Sequence, residues 1–227
     1  GTIFGNPEGD IVQGAVTVAL FGIIGVVLMA VTRMIFSKLT LPAISLRDEI
    51  MNGNVAVAIA DAGNVVASAV IIRAVMIWVQ GTSLDGLITV LGGYAVSQVL
   101  LTGLSFMMIK GFALFHKGYN FQDQLKSGNT AVSLRFTGMK IGAAFAIATA
   151  AQIVVYEEDF NIAAILFAWF CASIGVLIIW KCLCVAAERL ILFRVDFDDE
   201  VIRQRNIALG VLQAIIYISL GLLISSV

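Results

Sequence analysis

The chain has 227 residues, of which 60% are hydrophobic and only 13% charged, and its mean hydropathy is +0.99. Soluble domains carry about 25% charged residues, so a soluble enzyme domain, a nucleic-acid binder and a disordered tail are all excluded. The net charge of −1 is uninformative as a sum; the placement of the charges is not.

Apolar windows recur six times along the chain: Ile11–Phe36, Asn54–Val79, Leu87–Ile109, Asn129–Val155, Asn161–Trp180 and Asn206–Val227. A helix crosses a bilayer in about 20 residues, and each window suffices. None alternates with period two, which excludes a β-barrel. The expected fold is therefore all-α: a polytopic membrane protein with six transmembrane helices. The first apolar run, Ile11–Val31, is too long for the core of a signal peptide. The chain opens on Gly1 and not Met, which suggests that residues have been removed ahead of it.

Basic residues set the expected orientation. Arg33, Lys38 and Arg47 go with the connection between spans 1 and 2. Lys110, Lys117 and Lys126 go with that between spans 3 and 4, and Lys181, Arg189, Arg194, Arg203 and Arg205 with that between spans 5 and 6. These are 11 of the 14 Lys and Arg, with Arg33 at the inner edge of the first window; Arg73, Arg135 and Lys140 lie deeper within spans. The other three segments carry Glu8, Asp10, Asp85, Glu157, Glu158 and Asp159 and no base. By the positive-inside rule the basic connections face the cytoplasm and both termini lie outside.

Two of the inner connections read as short interfacial helices. Segment 44–52 has Pro42 upstream and a Ser45-x-x-Asp48 pairing like a capping box. Segment 196–205 places acids first and bases last, as a helix dipole prefers.

Three stretches match one another: Asp48-Glu-Ile-Met-Asn-Gly-Asn54-Val-Ala-Val-Ala, Asp123-Gln-Leu-Lys-Ser-Gly-Asn129-Thr-Ala-Val-Ser and Glu200-Val-Ile-Arg-Gln-Arg-Asn206-Ile-Ala-Leu-Gly. Their asparagines are 75 and 77 positions apart and each opens an even-numbered span. The chain thus reads as one membrane domain, 1–227, made of three parallel helical hairpins: 11–79, 84–155 and 161–227. Two spans per unit give every unit the same orientation. The third copy departs from the pattern, with Arg205 where the others have Gly53 and Gly128.

The motif, a polar linker followed by an Asn-x-Ala-x-small entry into a helix, resembles the YjfL-like family of bacterial inner-membrane proteins, domain of unknown function number 350. The resemblance covers essentially the whole chain, in three copies where two are usual. It implies an inner-membrane protein without a firmly assigned activity, working near phage-shock-like or polyamine-synthesis proteins.

Charged groups at membrane depth cost about 2.5–3.5 kcal/mol each on insertion scales, so Asp61, Arg73, Arg135 and Lys140 are informative. On a wheel of about 100° per residue, positions +7 and +11 return to the face of each motif asparagine. That groups Asn54 with Asp61, Asn129 with Lys140, and Asn206 with Gln213 and Tyr217. Threefold-like packing would point these faces at one another and pair Asp61 with Lys140, Arg135 being the competing partner. An ion pair that only fixes helix register is weighed against an ion or proton pathway and against a lipid or small-ligand site. Arg73, near the outer end of its span, is expected to snorkel or to meet Asp85. The asparagines are expected to cap helices or bond neighbouring helices. Small residues spaced by four (Ala58 and Ala62; Gly138, Gly142, Ala146 and Ala150), with Gly14, Gly22 and Gly25 in span 1, are expected to let helices approach closely.

Enzymatic signatures are absent. The single histidine, His116, lies in a connection with no companion for a metal site, so no metal and no cofactor is expected. Cys171, Cys182 and Cys184 sit in or beside one apolar segment and read as unpaired membrane-helix cysteines. The expected function is a non-enzymatic inner-membrane scaffold or assembly subunit. Its expected partners are membrane lipids and a protein, which includes a second copy, and no nucleic acid. The alternative is a small-ion or small-cation transporter or channel using the Asn54/Asp61/Lys140 face.

Overall fold

The computed structural model describes residues 7–79, 84–116, 118–157 and 161–226. Helices are α1 (Pro7–Ile35), α2 (Leu46–Met51), α3 (Val55–Trp78), α4 (Leu84–Phe115), α5 (Phe121–Lys126), α6 (Thr130–Ala148), α7 (Ala150–Ile153), α8 (Ile162–Ile191) and α9 (Ile207–Ser225). Two π-helical turns, Phe36–Thr40 and Asp198–Arg203, complete the connections. The described residues contain no strand. Six helical stretches are long and apolar enough to cross a membrane, and at 1.5 Å per residue the 24 residues of α3 reach about 36 Å. The protein is a multi-pass, all-helical membrane protein.

Hydropathy alone ends two spans too early. The apolar window closes at Trp180, yet α8 runs on to Ile191. Lys181 lowers the hydropathy, but the sequence from Lys181 to Leu190 holds neither Gly nor Pro and is rich in good helix formers. In the same way α4 continues through Lys110 to Phe115. Lys181, Glu188, Arg189 and Lys110 are therefore helical residues and not loop residues. The segment 44–52 forms α2, although Ser45 at its start makes no cap to the backbone; its hydroxyl donates to Asp48 Oδ2 at 2.6 Å. The segment 196–205 carries the second π-helical turn.

Helices α3, α6 and α9 form a row. Helix α6 lies between the other two, while α3 and α9 do not pack on one another. The expected threefold arrangement is thereby corrected to a linear one. The contact between α6 and α9 is backbone on backbone. A Cβ on Gly210 would stand 2.7 Å from the Ala131 carbonyl oxygen, and one on Gly138 would fall on the Ala214 backbone. On the other flank Gly63 lies against Thr137. Helix α1 packs on α3; α4 touches α3, α6 and α8; and α8 rests on α6 and α9.

The core has two parts. One, around Phe36, Leu41, Val57, Leu125, Phe136 and Val201, lies at the end of the bundle where the three motif asparagines sit. The other, around Ile71, Trp78, Ile147, Trp169 and Trp180, fills the remainder.

The small-residue stripes divide. Gly138 and Gly142 mediate helix contact, but Ala58 is only half buried and Ala62 is exposed. A Cβ on Gly22 would meet no other element within 4 Å, and the side-chain environment of position 14 lies outside the described residues.

Gly142 supplies a test of the row. A Cβ there would lie 2.8 Å from the Trp180 ring and against the Tyr217 carbonyl. Gly142→Val is expected to lose at least about 2 kcal/mol of stability through overpacking. Gly175→Ala, in open space, should stay within about 1 kcal/mol of wild type. Thermal unfolding of both in one detergent reads the difference.

Candidate functional site: the asparagine triad and two charged clusters

Each of α3, α6 and α9 begins at an asparagine in extended conformation, and the three side chains behave alike. Asn54 Oδ1 accepts from Val57 N, Asn129 Oδ1 from Val132 N and Asn206 Oδ1 from Leu209 N. Each is a helix N-cap. The amide nitrogen then turns back to the preceding linker. Asn54 donates to Glu49, Asn129 to Gln124 and Asn206 to Glu200, each at 2.8 Å.

The second amide hydrogen of two of them crosses to the next linker. Asn54 Nδ2 donates to the Leu125 and Lys126 carbonyls at 3.1 and 3.2 Å. Asn129 Nδ2 donates to the Val201 and Ile202 carbonyls at the same distances. One residue type thus caps a helix, closes its own turn and ties neighbouring helices. The turn residue before Asn54 and Asn129 is Gly53 or Gly128, at φ 82° and 76°. Arg205 takes that place at φ 55°, a conformation that costs a side-chain-bearing residue about 1–2 kcal/mol. Its guanidinium compensates by donating to the Ser127 carbonyl at 2.8 Å and to Ser127 Oγ at 3.1 Å.

The first charged cluster joins α1 and α3. Arg33 meets Asp61 with its Nη2 at 2.8 Å and its Nε at 2.9 Å from the same carboxylate oxygen. The Arg33 side chain is 51% exposed and that of Asp61 only 9%. The expected Asp61–Lys140 pair is corrected: Lys140 is buried, with its ammonium 4.0 Å above the Phe36 ring and 5.8 Å from that of Phe136. Asp61 acts on it only as a nearby charge. The wheel placed Asp61 and Lys140 on inward faces of α3 and α6, but not the shared closing position of α1, whose Arg33 reaches the carboxylate first.

The second cluster joins α6, α8 and α9. Arg135 Nη2 lies 3.4 Å from Glu188 Oε1, so it serves Glu188 and not Asp61. Gln213 Nε2 donates to the same oxygen at 3.2 Å, and the Tyr217 hydroxyl donates to it as well. Arg135 also stands 4.5 Å over the Phe197 ring and 5.9 Å from that of Tyr217, an arrangement that favours a cation. Lys181 sits 5.9 Å from the Tyr217 ring. The grouping of Gln213 with Tyr217 on one helix face is met by a carboxylate that lies beyond the apolar window ending at Trp180, in the continuation of α8. The continuation of α8 through a run without helix breakers was the signal for it.

Both clusters lie near the asparagine end. Asp61 is seven residues along α3 from Asn54, about 10 Å, and Glu188 is in the last turn of α8. Beside the second cluster, α4, α6 and α8 enclose a largely apolar cavity of about 450 Å³, lined by Met107, Phe112, Phe115 and Met139 with Arg135 and Lys181. Away from that end, Arg73 is exposed and lines an open cavity of about 720 Å³ beside Trp78 and Tyr156; the side chain of Asp85 lies outside the described residues. Sequence reading also passed over Asn64, Gln98 and Ser173, buried residues whose Nδ2, Nε2 and Oγ atoms have no hydrogen-bond partner. Among the described residues no group of His, Cys, Asp and Glu could hold a metal ion, and the three cysteines are free.

Six apolar spans, a row of Asn-capped helices and ion pairs set within it define a polytopic α-helical membrane protein. Comparison with family models is more particular: the chain belongs to the family described as Domain of Unknown Function (DUF350), whose model matches residues 10–109 and 82–227. No curated protein and no solved structure matches it.

The first cluster predicts an asymmetry. Arg33→Ala strands a buried carboxylate and is expected to cost about 3–5 kcal/mol. Asp61→Asn leaves a half-exposed guanidinium that can turn toward headgroups, and is expected to cost less than half as much. Equal losses in thermal unfolding would contradict this.

Proposed function

We propose that the protein is a non-enzymatic integral scaffold or assembly subunit of a bacterial inner membrane. Both termini face outward and the basic, Asn-bearing linkers face the cytosol. The observation that carries the reading is the aromatic packing of the interior away from the asparagine end, beside the open cavity at Arg73. The Trp78 ring lies 4.4 Å from that of Trp169 and 5.8 Å from that of Tyr156, and Trp78 Nε1 donates to the Val154 carbonyl. Ile71, Val75 and Ile147 around them are fully buried. Transporters use discontinuous helices around a midplane site, whereas α3 and α9 run unbroken between their caps and the span of α6 is interrupted only at Thr149, near the end away from Asn129. The family resemblance points to envelope-stress or polyamine-related assemblies as the setting.

Buried polar atoms without partners favour a second reading. Asn64, Gln98 and Ser173 lie inside the bundle with unsatisfied groups, as a hydrated path for a small ion or cation would need.

Flux separates the two. The purified chain in liposomes is expected to pass potassium, protons and a diamine no faster than protein-free vesicles do. Flux above that background, lost in Asp61→Asn, would establish the transporter reading. Lys140 gives an independent check. A scaffold has no use for an ammonium buried over Phe36 and Phe136, so Lys140→Met is expected to leave thermal stability unchanged or raise it by about 1 kcal/mol.

A further inference from the structure

The contacts that join α3 to α6 are made again between α6 and α9, at the same helix positions and with the linker carbonyls one residue further from the motif asparagine. Counted from each motif asparagine, the first helix of a pair offers its amide and positions +2 and +9. The second offers its linker carbonyls and positions +4 and +8. In the first pair Asn54 meets the Leu125 and Lys126 carbonyls, Ser133 donates to the Ala56 carbonyl, and Gly63 lies against Thr137. In the second, Asn129 meets the Val201 and Ile202 carbonyls, Gly210 lies on Ala131, and Gly138 lies on Ala214.

A row built this way has two unlike ends. At the α9 end, the amide of Asn206 donates to Glu200 and has no linker carbonyl before it among the described residues. Ala208 and Ile215 (+2 and +9) are exposed, Ile215 by 54%. At the α3 end the complementary half is open: Ala58 is half buried, Ala62 is exposed (+4 and +8), and the linker ends at Met51, 80% exposed. Among the described residues, the small-residue stripe of α3 is therefore only partly covered, Ala62 being exposed and Ala58 half buried.

We propose that a second copy of this chain docks head to tail on the first. Its α3 lies against α9, so that Asn206 donates to the Ile50 and Met51 carbonyls of the second copy. The side chains fit that occupant. Ala208 faces Ala58, small against small. Ile215 replaces the glycine of Gly63 and Gly138, and Ala62 stands opposite it where the first pair has Thr137. The bulk has moved from one helix to the other, and the pair is spaced a little wider. Such an interface is heterologous, so it propagates into a ring or an open row, not into a twofold dimer.

This inference rests on the assembly-subunit reading and names one of its partners. Cysteine crosslinking of the full chain in liposomes tests it, after replacement of Cys171, Cys182 and Cys184 by Ala. Copies carrying Ala62→Cys, mixed with copies carrying Ile215→Cys, are expected to oxidise to a mixed dimer. Neither variant alone should dimerise, and the double variant should give a ladder or one closed oligomer. Within one chain the two positions are separated by α6, so an intramolecular bond cannot imitate the result. Asn206→Asp keeps the cap oxygen and sets an acceptor against the Ile50 and Met51 carbonyls; it is expected to lower the mixed-dimer yield about three- to tenfold. Unchanged thermal unfolding of each cysteine variant shows that it is folded. Folded variants that give no mixed dimer, or dimers from Ala62→Cys alone, would overturn the proposal. Neither outcome touches the assembly reading, which ion flux would overturn.

Discussion

An asparagine at the foot of a membrane helix has one oxygen and two amide hydrogens to satisfy, and the rest of this structure depends on how it does so. Asn129 spends its oxygen on the first turn of α6, one hydrogen on Gln124 and the other on the Val201 and Ile202 carbonyls. It is fully buried, and a buried polar group left unpaired costs about 1–3 kcal/mol. The side chain therefore fixes three things together: where α6 starts, how its linker turns, and how far α9 stands from it. The backbone contacts along α6 and α9 follow from that register, since Gly138, Gly142, Gly210 and Gly221 tolerate no side chain at the approach they allow.

The charged clusters share this logic of local compensation. A carboxylate near membrane depth is retained only when its charge is answered. Asp61 has Arg33 from the end of α1, and Glu188 has Arg135, Gln213 and Tyr217 from α6 and α9. Each pair ties an outer helix to the row. Lys140 is answered differently, by the faces of Phe36 and Phe136. Those rings continue through Phe121, Phe112 and His116 to Phe197, so one aromatic belt underlies both clusters. The other end of the bundle relies on tryptophan packing instead. The molecule is thus polar and bonded at the linker end, and packed by aromatic rings where Trp78 meets Trp169.

A linear row differs from a closed bundle in leaving two edges. Solenoid proteins manage such edges with atypical terminal units. Here the third unit departs from the other two at Arg205, before α9, and at Ile215 within it. Arg205 points back to Ser127 and strengthens the row from within. Ile215 is exposed and is the larger partner in the head-to-tail contact we propose with Ala62 of another copy.

Sequence by itself determined the membrane class, the six spans, the three helix starts and the family, because hydropathy, charge placement and the Asn motif are local properties that need no partner to be read. It also located most of the polar residues that matter: the asparagines, Asp61, Arg135, Lys140, Gln213 and Tyr217 all lie at helix starts or in interhelical clusters. Their pairing was not legible. A helical wheel assigns a face but not the neighbour opposite it, so Asp61 was matched to Lys140 when Arg33 on α1 stands closer. Glu188 was missed because a hydropathy window stops at Lys181 although the helix does not. Only the tertiary structure decided that α3, α6 and α9 form a row and not a ring, because that choice depends on which small residues meet a backbone. Gly138 and Gly142 do, whereas Ala58 is left half buried and Ala62 exposed.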